Sequence, residues 1–251
     1  MLVQTIPAVA SSVPATVECS LFVGCPKLVG ATFRYARDQE IYGEAEDAHF
    51  VYKVVSGAVR SHKLLSDGRR QIGAFHLPGD VFGFESGPSH RLTAEAIVDT
   101  VTLIFDRRAV EYFALRYIEV ARELWKLAAR DLDHAVDHML LLGRKTALER
   151  VADFLLEMDA RMRPSGAMGL PMLRRDIADY LGLTLETVSR TISRLEMEGV
   201  VELVAARQIK VLADFRIDEL QNVVTGVQRP GTRRVIDPHD DVAACGFEMC
   251  A

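Results

Sequence analysis

The 251-residue sequence has only 4 cysteines, and its body holds none: Cys19 and Cys25 lie near the start, Cys245 and Cys250 near the end. That placement excludes the disulfide framework of a small secreted domain. No stretch approaches the roughly 18 uninterrupted apolar residues that a membrane-spanning helix requires. Residues 1–20 are rich in Ala, Val, Ser and Pro but lack the basic start and continuous apolar run of a signal peptide. The expectation is a cytoplasmic protein. A nucleophile motif, a phosphate-binding glycine loop and a His-Glu-x-x-His metal motif are also missing, so no reactive constellation supports an enzyme. An excess of positive charge is missing too, since 30 Lys and Arg stand against 35 Asp and Glu, for a formal charge of −5. No global field draws this chain to nucleic acid; any such attraction must be local.

What is present divides into two domains, for which the length is ample. The chain is organised around Leu173–Leu195, which reads as two short helices broken at Gly182. Ile177, Ala178 and Leu181 share one face before the break, and Val188, Ile192 and Leu195 share one after it. Thr184 is a good N-cap for the second helix, with Glu186 and Thr187 in its first turn. Glu186, Ser189, Arg190 and Arg194 are left on the outward side. In a helix-turn-helix the first turns of the second helix meet base edges in the major groove, where Arg donates to guanine, Glu accepts from cytosine and Ser reaches either kind of group. The same pattern also fits an ordinary pair of surface helices with solvated charges.

Ahead of this segment, from about Lys27 to Asp106, short apolar runs with period 2 are punctuated by glycine, with Asp67-Gly68 marking a hairpin. Strands at this spacing predict a small antiparallel roll or barrel. A long helix follows over 108–142, with no Pro or Gly until Gly143. Tyr117, Ala121, Leu124, Ala128, Leu132, Ala135, Met139 and Leu142 recur along it at three- and four-residue steps, as in a coiled-coil seam that calls for a partner helix. Packing on the chain's own roll is the other option, and Trp125 and Leu127 supply a second apolar face for it. Asp133, His134, Asp137 and His138 pair at i,i+4, a spacing that suits a metal, but no third ligand cluster exists; a solvated flank is expected. Next, Ala147–Met162 predicts a helix with Val151, Phe154, Leu155 and Met158 inward, and Arg163-Pro164-Ser165-Gly166 a break. Val200–Leu203 and Ile209–Leu212 predict the strands of a β-wing with Arg207 near its tip, where phosphate contact adds affinity without sequence information. Residues 222–251 carry Gly, Pro and mixed charge and predict a tail.

The run Glu186-Thr187-Val188-Ser189-Arg190, preceded by Asp176-Ile177-Ala178 and Gly182-Leu183-Thr184, resembles the recognition helix of the Crp/Fnr superfamily of bacterial transcription regulators. Its E-x-x-S-R pattern is similar to the Fnr and FixK branch; the cyclic-AMP receptor branch has Arg where this chain has Leu185 and Ser189. Gly143-Arg144-Lys145-Thr146 and the helix after it resemble the superfamily's GRKTA-x-ERVA-x-FLL segment, and Gly43, Gly57, Gly68, Gly79 and Gly83 fall where its β-roll keeps turn glycines. The resemblance, over about 27–220, implies an α+β fold: a cyclic-nucleotide-binding-type β-roll (27–107) behind an extension (1–26), a dimerisation helix (108–142), and a winged helix-turn-helix DNA-binding domain (143–221) before the tail.

The resemblance further implies a homodimer on double-stranded DNA, reading a TTGAT-N4-ATCAA palindrome through Glu186, Ser189 and Arg190. Arg174, Arg175, Thr184, Thr187, Arg194 and Arg207 would fix the register on the backbone. Such a regulator recruits RNA polymerase to genes of microaerobic or anaerobic respiration or nitrogen fixation. Fnr itself holds an iron–sulfur cluster on three closely spaced N-terminal cysteines and a fourth in its sensory domain. Cys19 and Cys25 do not provide that set, so no cluster is expected. Nor is a cyclic nucleotide expected as a cofactor. In Gly79-Asp80-Val81-Phe82-Gly83-Phe84-Glu85, Phe84 stands where the ribose-binding Glu should, and in Arg91-Leu92-Thr93, Leu92 separates the two phosphate ligands. The alternative is a regulator switched by a small ligand in the roll.

Overall fold

The structure, a computed structural model, describes residues 16–162 and 166–212. Residues 222–251, with Cys245 and Cys250, and the expected break at Arg163-Pro164-Ser165 lie outside them. Nine strands make the roll among the described residues: β1 (Thr16–Cys19), β2 (Leu28–Tyr35), β3 (Glu40–Tyr42), β4 (Phe50–Ser56), β5 (Val59–Leu64), β6 (Arg70–His76), β7 (Val81–Phe82), β8 (Thr93–Ala96) and β9 (Thr100–Asp106). They form two antiparallel sheets, ordered β1-β2-β9-β4-β7 and β3-β8-β5-β6. The alternating inward residues meet between them. Tyr35, Tyr42, Tyr52, Val54, Val59 and Phe82 make one buried cluster, with the rings of Tyr42 and Tyr52 and those of Tyr52 and Phe82 both 5.2 Å apart. Fully burying each such side chain is worth roughly 1.5–3 kcal/mol.

Two turns hold the roll's register. The β5–β6 hairpin closes at the expected Asp67-Gly68, where Gly68 N–H donates to the Leu65 carbonyl at 2.9 Å. Between β4 and β5, Gly57 sits at φ +88°, and a Cβ there would lie 2.4 Å from Thr100 Oγ1, so only glycine fits. The N-terminal boundary differs from the expectation. Residues 16–26 belong to the roll: β1 pairs antiparallel with β2 from Thr16↔Ala31 to Cys19↔Leu28, and Leu21 and Phe22 are buried beside Val51, Val81 and Phe105.

The long helix also differs. The chain forms α1 (Arg107–Arg116) and then α2 (Ile118–Arg144), separated at Tyr117, which is extended at φ −123°, ψ 107°. The bend lets Val110 of α1 and Val120 of α2 both be buried. Tyr117 therefore precedes the long helix instead of starting its seam. At the other end α2 runs through Gly143 and stops at Arg144, where Arg150 donates to the carbonyls of Lys145 and Leu142 at 2.9 and 2.7 Å.

In the C-terminal part, α3 (Ala147–Met162) starts at a capping box. Thr146 N–H donates to the Glu149 carboxylate at 2.7 Å, and Glu149 N–H donates back to Thr146 Oγ1 at 3.4 Å. Its inward Val151, Phe154, Leu155 and Met158 are buried as expected, together with Leu148 and Ala152. Then come β10 (Met168–Gly169), α4 (Arg174–Leu181), α5 (Leu185–Met197), β11 (Val201–Ala205) and β12 (Gln208–Val211). The sheet order β10-β12-β11 gives the wing a third strand that the sequence reading did not contain.

Candidate nucleic-acid interface

The helix pair forms as its punctuation demands. Gly182 takes the left-handed conformation at φ 62° that ends α4, and its N–H donates to Ala178 O. Thr184 Oγ1 then accepts from Thr187 N–H at 3.1 Å and caps α5. Val188, Ile192 and Leu195 are fully buried, which fixes the rotation of α5 and turns its other side to solvent. On that side Glu186 and Arg190 expose 69% and 80% of their side chains and pair with each other at 2.5 Å across one helical turn. Ser189 is half-buried between them.

The groups assigned to the DNA backbone surround this face unevenly. Arg175 is exposed, Arg174 half-buried, and Arg207 exposed in the turn between β11 and β12, where its carbonyl accepts from Leu170 N–H at 2.9 Å. Arg194 is exposed but holds Glu198 at 2.7 Å. Thr184 and Thr187 face each other, Oγ1 to Oγ1, at 2.8 Å. Without their carboxylate partners Arg190 and Arg194 would give an unopposed positive strip; with them the free protein presents alternating charge.

α2 is amphipathic on two sides, and the structure exchanges the places expected for Leu124 and Trp125. Leu124 and Leu127 pack against the roll's buried Leu21, Phe22 and Phe105, so Leu124 is an intramolecular contact and not part of an outward seam. Ala121 is half-buried, and Leu142 is half-buried beside Gly182 of the helix-turn-helix. Ala135 lines the cleft between α2 and the roll. Of the seam residues expected, Ala128, Leu132 and Met139 lie on the exposed apolar face, together with Trp125, Val136 and Leu140; Trp125 is 77% and Leu132 65% exposed. Trp125, which with Leu127 offered a second apolar face for the roll, thus lies exposed.

His134 and His138 do not form a solvated flank. His134 Nε2 is 3.0 Å from the Tyr180 hydroxyl, and the His138 ring lies 4.2 Å from the Tyr180 ring, so both touch α4. Asp133 and Asp137 remain exposed.

A cleft of about 660 Å³ opens between the roll and α2, lined by Tyr42, Lys63, Phe84, Arg91, Leu92 and His138 among others. Apolar Phe84 and Leu92 share this cleft with the charged Lys63 and Arg91. Phe84 packs on the roll core, Leu92 lies against Gly73, and Thr93 Oγ1 already accepts the Glu44 N–H at 3.0 Å. Cys19 and Cys25 are half-buried against that core, where burial raises both thiols above their ordinary pKa.

Comparison with known proteins bears on both the roll and the helix-turn-helix. Residues 149–215 match the family described as the Crp-like helix-turn-helix domain, and residues 32–117 the cyclic nucleotide-binding domain. The nitrogen fixation regulation protein FixK of Rhizobium meliloti is 44% identical over 197 residues, 78% of this chain and 89% of that protein. The transcriptional activator protein FnrL of Cereibacter sphaeroides is 34% identical, covering 72% of this chain and 76% of the relative. Among solved structures, FixK2 from Bradyrhizobium japonicum is 62% identical with a TM-score of 0.74, over 77% of this chain and 98% of that one.

Proposed function

Because the chain belongs to the Crp/Fnr superfamily of transcription regulators, with its FixK-type members, we propose that it is a homodimeric activator of nitrogen-fixation or microaerobic genes that reads a TTGAT-N4-ATCAA palindrome and recruits RNA polymerase. Its work is binding, with no chemical step. The observation that carries the reading is the division of α5: one side locked in the core by Val188, Ile192 and Leu195, the other leaving Glu186 and Arg190 exposed with Ser189 half-buried between them. Arg190 donates to guanine and Glu186 accepts from cytosine, while Arg174, Arg175, Thr184, Thr187, Arg194 and Arg207 hold the phosphates. Two copies joined along the exposed face of α2 place their α5 helices about 34 Å apart, in successive major grooves on one side of the duplex.

A gel-shift series on the palindrome and on a scrambled duplex tests this, with selective binding of the palindrome and no added effector as the expected result. Calorimetric titration with cyclic AMP or cyclic GMP is expected to give no heat. Saturable heat, with DNA binding only after the nucleotide is added, would favour the effector-switched regulator instead.

A further inference from the structure

The roll meets the first helix of the helix-turn-helix through a buried ionic cluster that base reading does not use. Arg60 in β5 donates to Glu95 at 2.8 and 3.2 Å, to Asp38 at 3.0 Å, and across to Asp176 in α4 at 3.1 Å. Arg70 in β6 donates to Asp176 at 2.6 Å and to Asp179 at 2.9 Å. The side chains of Arg60 and Asp176 are only 7% and 3% exposed. The second oxygen of Asp176 accepts the Leu173 N–H at 3.0 Å, so the carboxylate that receives both arginines also fixes the start of α4. Beside it, the Gln71 amide donates to the Tyr180 carbonyl at 3.2 Å, and the Phe75 ring lies 5.2 Å from that of Tyr180.

Ring contacts of that kind tolerate rotation of one surface on the other; charge-assisted hydrogen bonds with fixed donor directions do not. Buried ion clusters add little net stability over apolar packing, yet losing one partner is costly because a charge is stranded. Here the cluster supplies orientation.

We propose that Arg60, Arg70, Asp176 and Asp179 are positioning residues for DNA binding: they lock α4, and through it α5, in one orientation on the roll, without touching DNA themselves. The inference rests on the DNA-binding reading above. In the locked orientation Glu186 and Arg190 stay open to solvent, as base contact requires, and on this proposal the locked form is the competent one. When the lock opens, apparent affinity falls by the fraction of molecules still competent.

The sign of one substitution separates a lock from ordinary electrostatics. Asp179 lines an open cleft together with Thr184 and Thr187 at the start of α5. Removing a carboxylate so near the phosphates should raise affinity if only long-range charge mattered. The lock requires the reverse: Asp179→Asn and Arg70→Gln each weaken palindrome binding by about tenfold, within the usual range of coupling between sites. The double variant loses no more than the worse single one, and the ranking of base-substituted duplexes stays that of the parent. In the DNA-free variants, amide hydrogen exchange over β6 and α4 speeds up. Unchanged or tighter binding by Asp179→Asn, additive losses, an altered base ranking, or parental exchange rates would each overturn the lock. If the parent itself binds no palindrome, the DNA reading fails on its own and the exchange measurement still decides the lock.

Discussion

At the scale of single residues, burial sets the acid sensitivity of the chain. His138 lies against the Tyr180 ring of α4 with both ring nitrogens unpartnered, and desolvation, helped by the neighbouring His134, pushes its pKa down to about 4. His76, half-buried in β6 and 2.7 Å from Ser61 Oγ, is also pushed down to about 4 by desolvation. Both are below the roughly 6.5 of an unfolded histidine. Above that pH neither state binds the protons and stability is full. As pH falls towards 4, the unfolded chain takes up protons that the folded chain refuses, and stability is lost. Melting temperature is therefore expected to fall across this window, and less steeply for His138→Phe, which keeps the ring contact and drops the proton. Equal slopes for variant and parent, in melts between pH 7 and 4.5, would contradict the assignment. The partner of His138 was not legible in the sequence, because Tyr180 is more than 40 residues away and i,i+4 spacing says nothing about which element a helix face meets.

At the scale of elements, the recognition helix was readable and the long helix only half so. α5 has one apolar stripe and a Thr cap, and both local signals point to the same rotation. α2 has two stripes, and periodicity alone does not choose the one that meets the roll. Leu124 and Leu127 take that place, leaving Trp125, Leu132, Val136 and Met139 exposed. Nor could the bend at Tyr117 be read, since no Pro or Gly marks it; it follows from burying Val110 and Val120 at once. The same ambiguity hid β1, whose Ala- and Pro-rich approach reads as an extension. Leu132→Asp places a charge on the exposed face and is expected to halve the mass seen by light scattering while leaving the monomer folded. Leu124→Asp instead buries a charge in the roll and is expected to unfold it. A dimeric Leu132→Asp protein would mean that the copies meet elsewhere.

At the scale of the whole molecule, function comes from geometry shared among parts that do not react. The roll supplies a surface to which α4 is tied through Arg60, Arg70 and Asp176. In the proposed function the exposed apolar face of α2 receives a second copy, and α5 carries the side chains that distinguish one base pair from another. The central claim is that Arg190, once per copy, reads a matching position in each half of a palindrome. The most direct test compares the affinities of the parent and Arg190→Ala for the TTGAT-N4-ATCAA duplex and for duplexes substituted at one symmetric base pair at a time. The account predicts one position where substitution costs the parent about 1–3 kcal/mol per half-site and costs Arg190→Ala nothing. A variant that discriminates at every position as the parent does would contradict it.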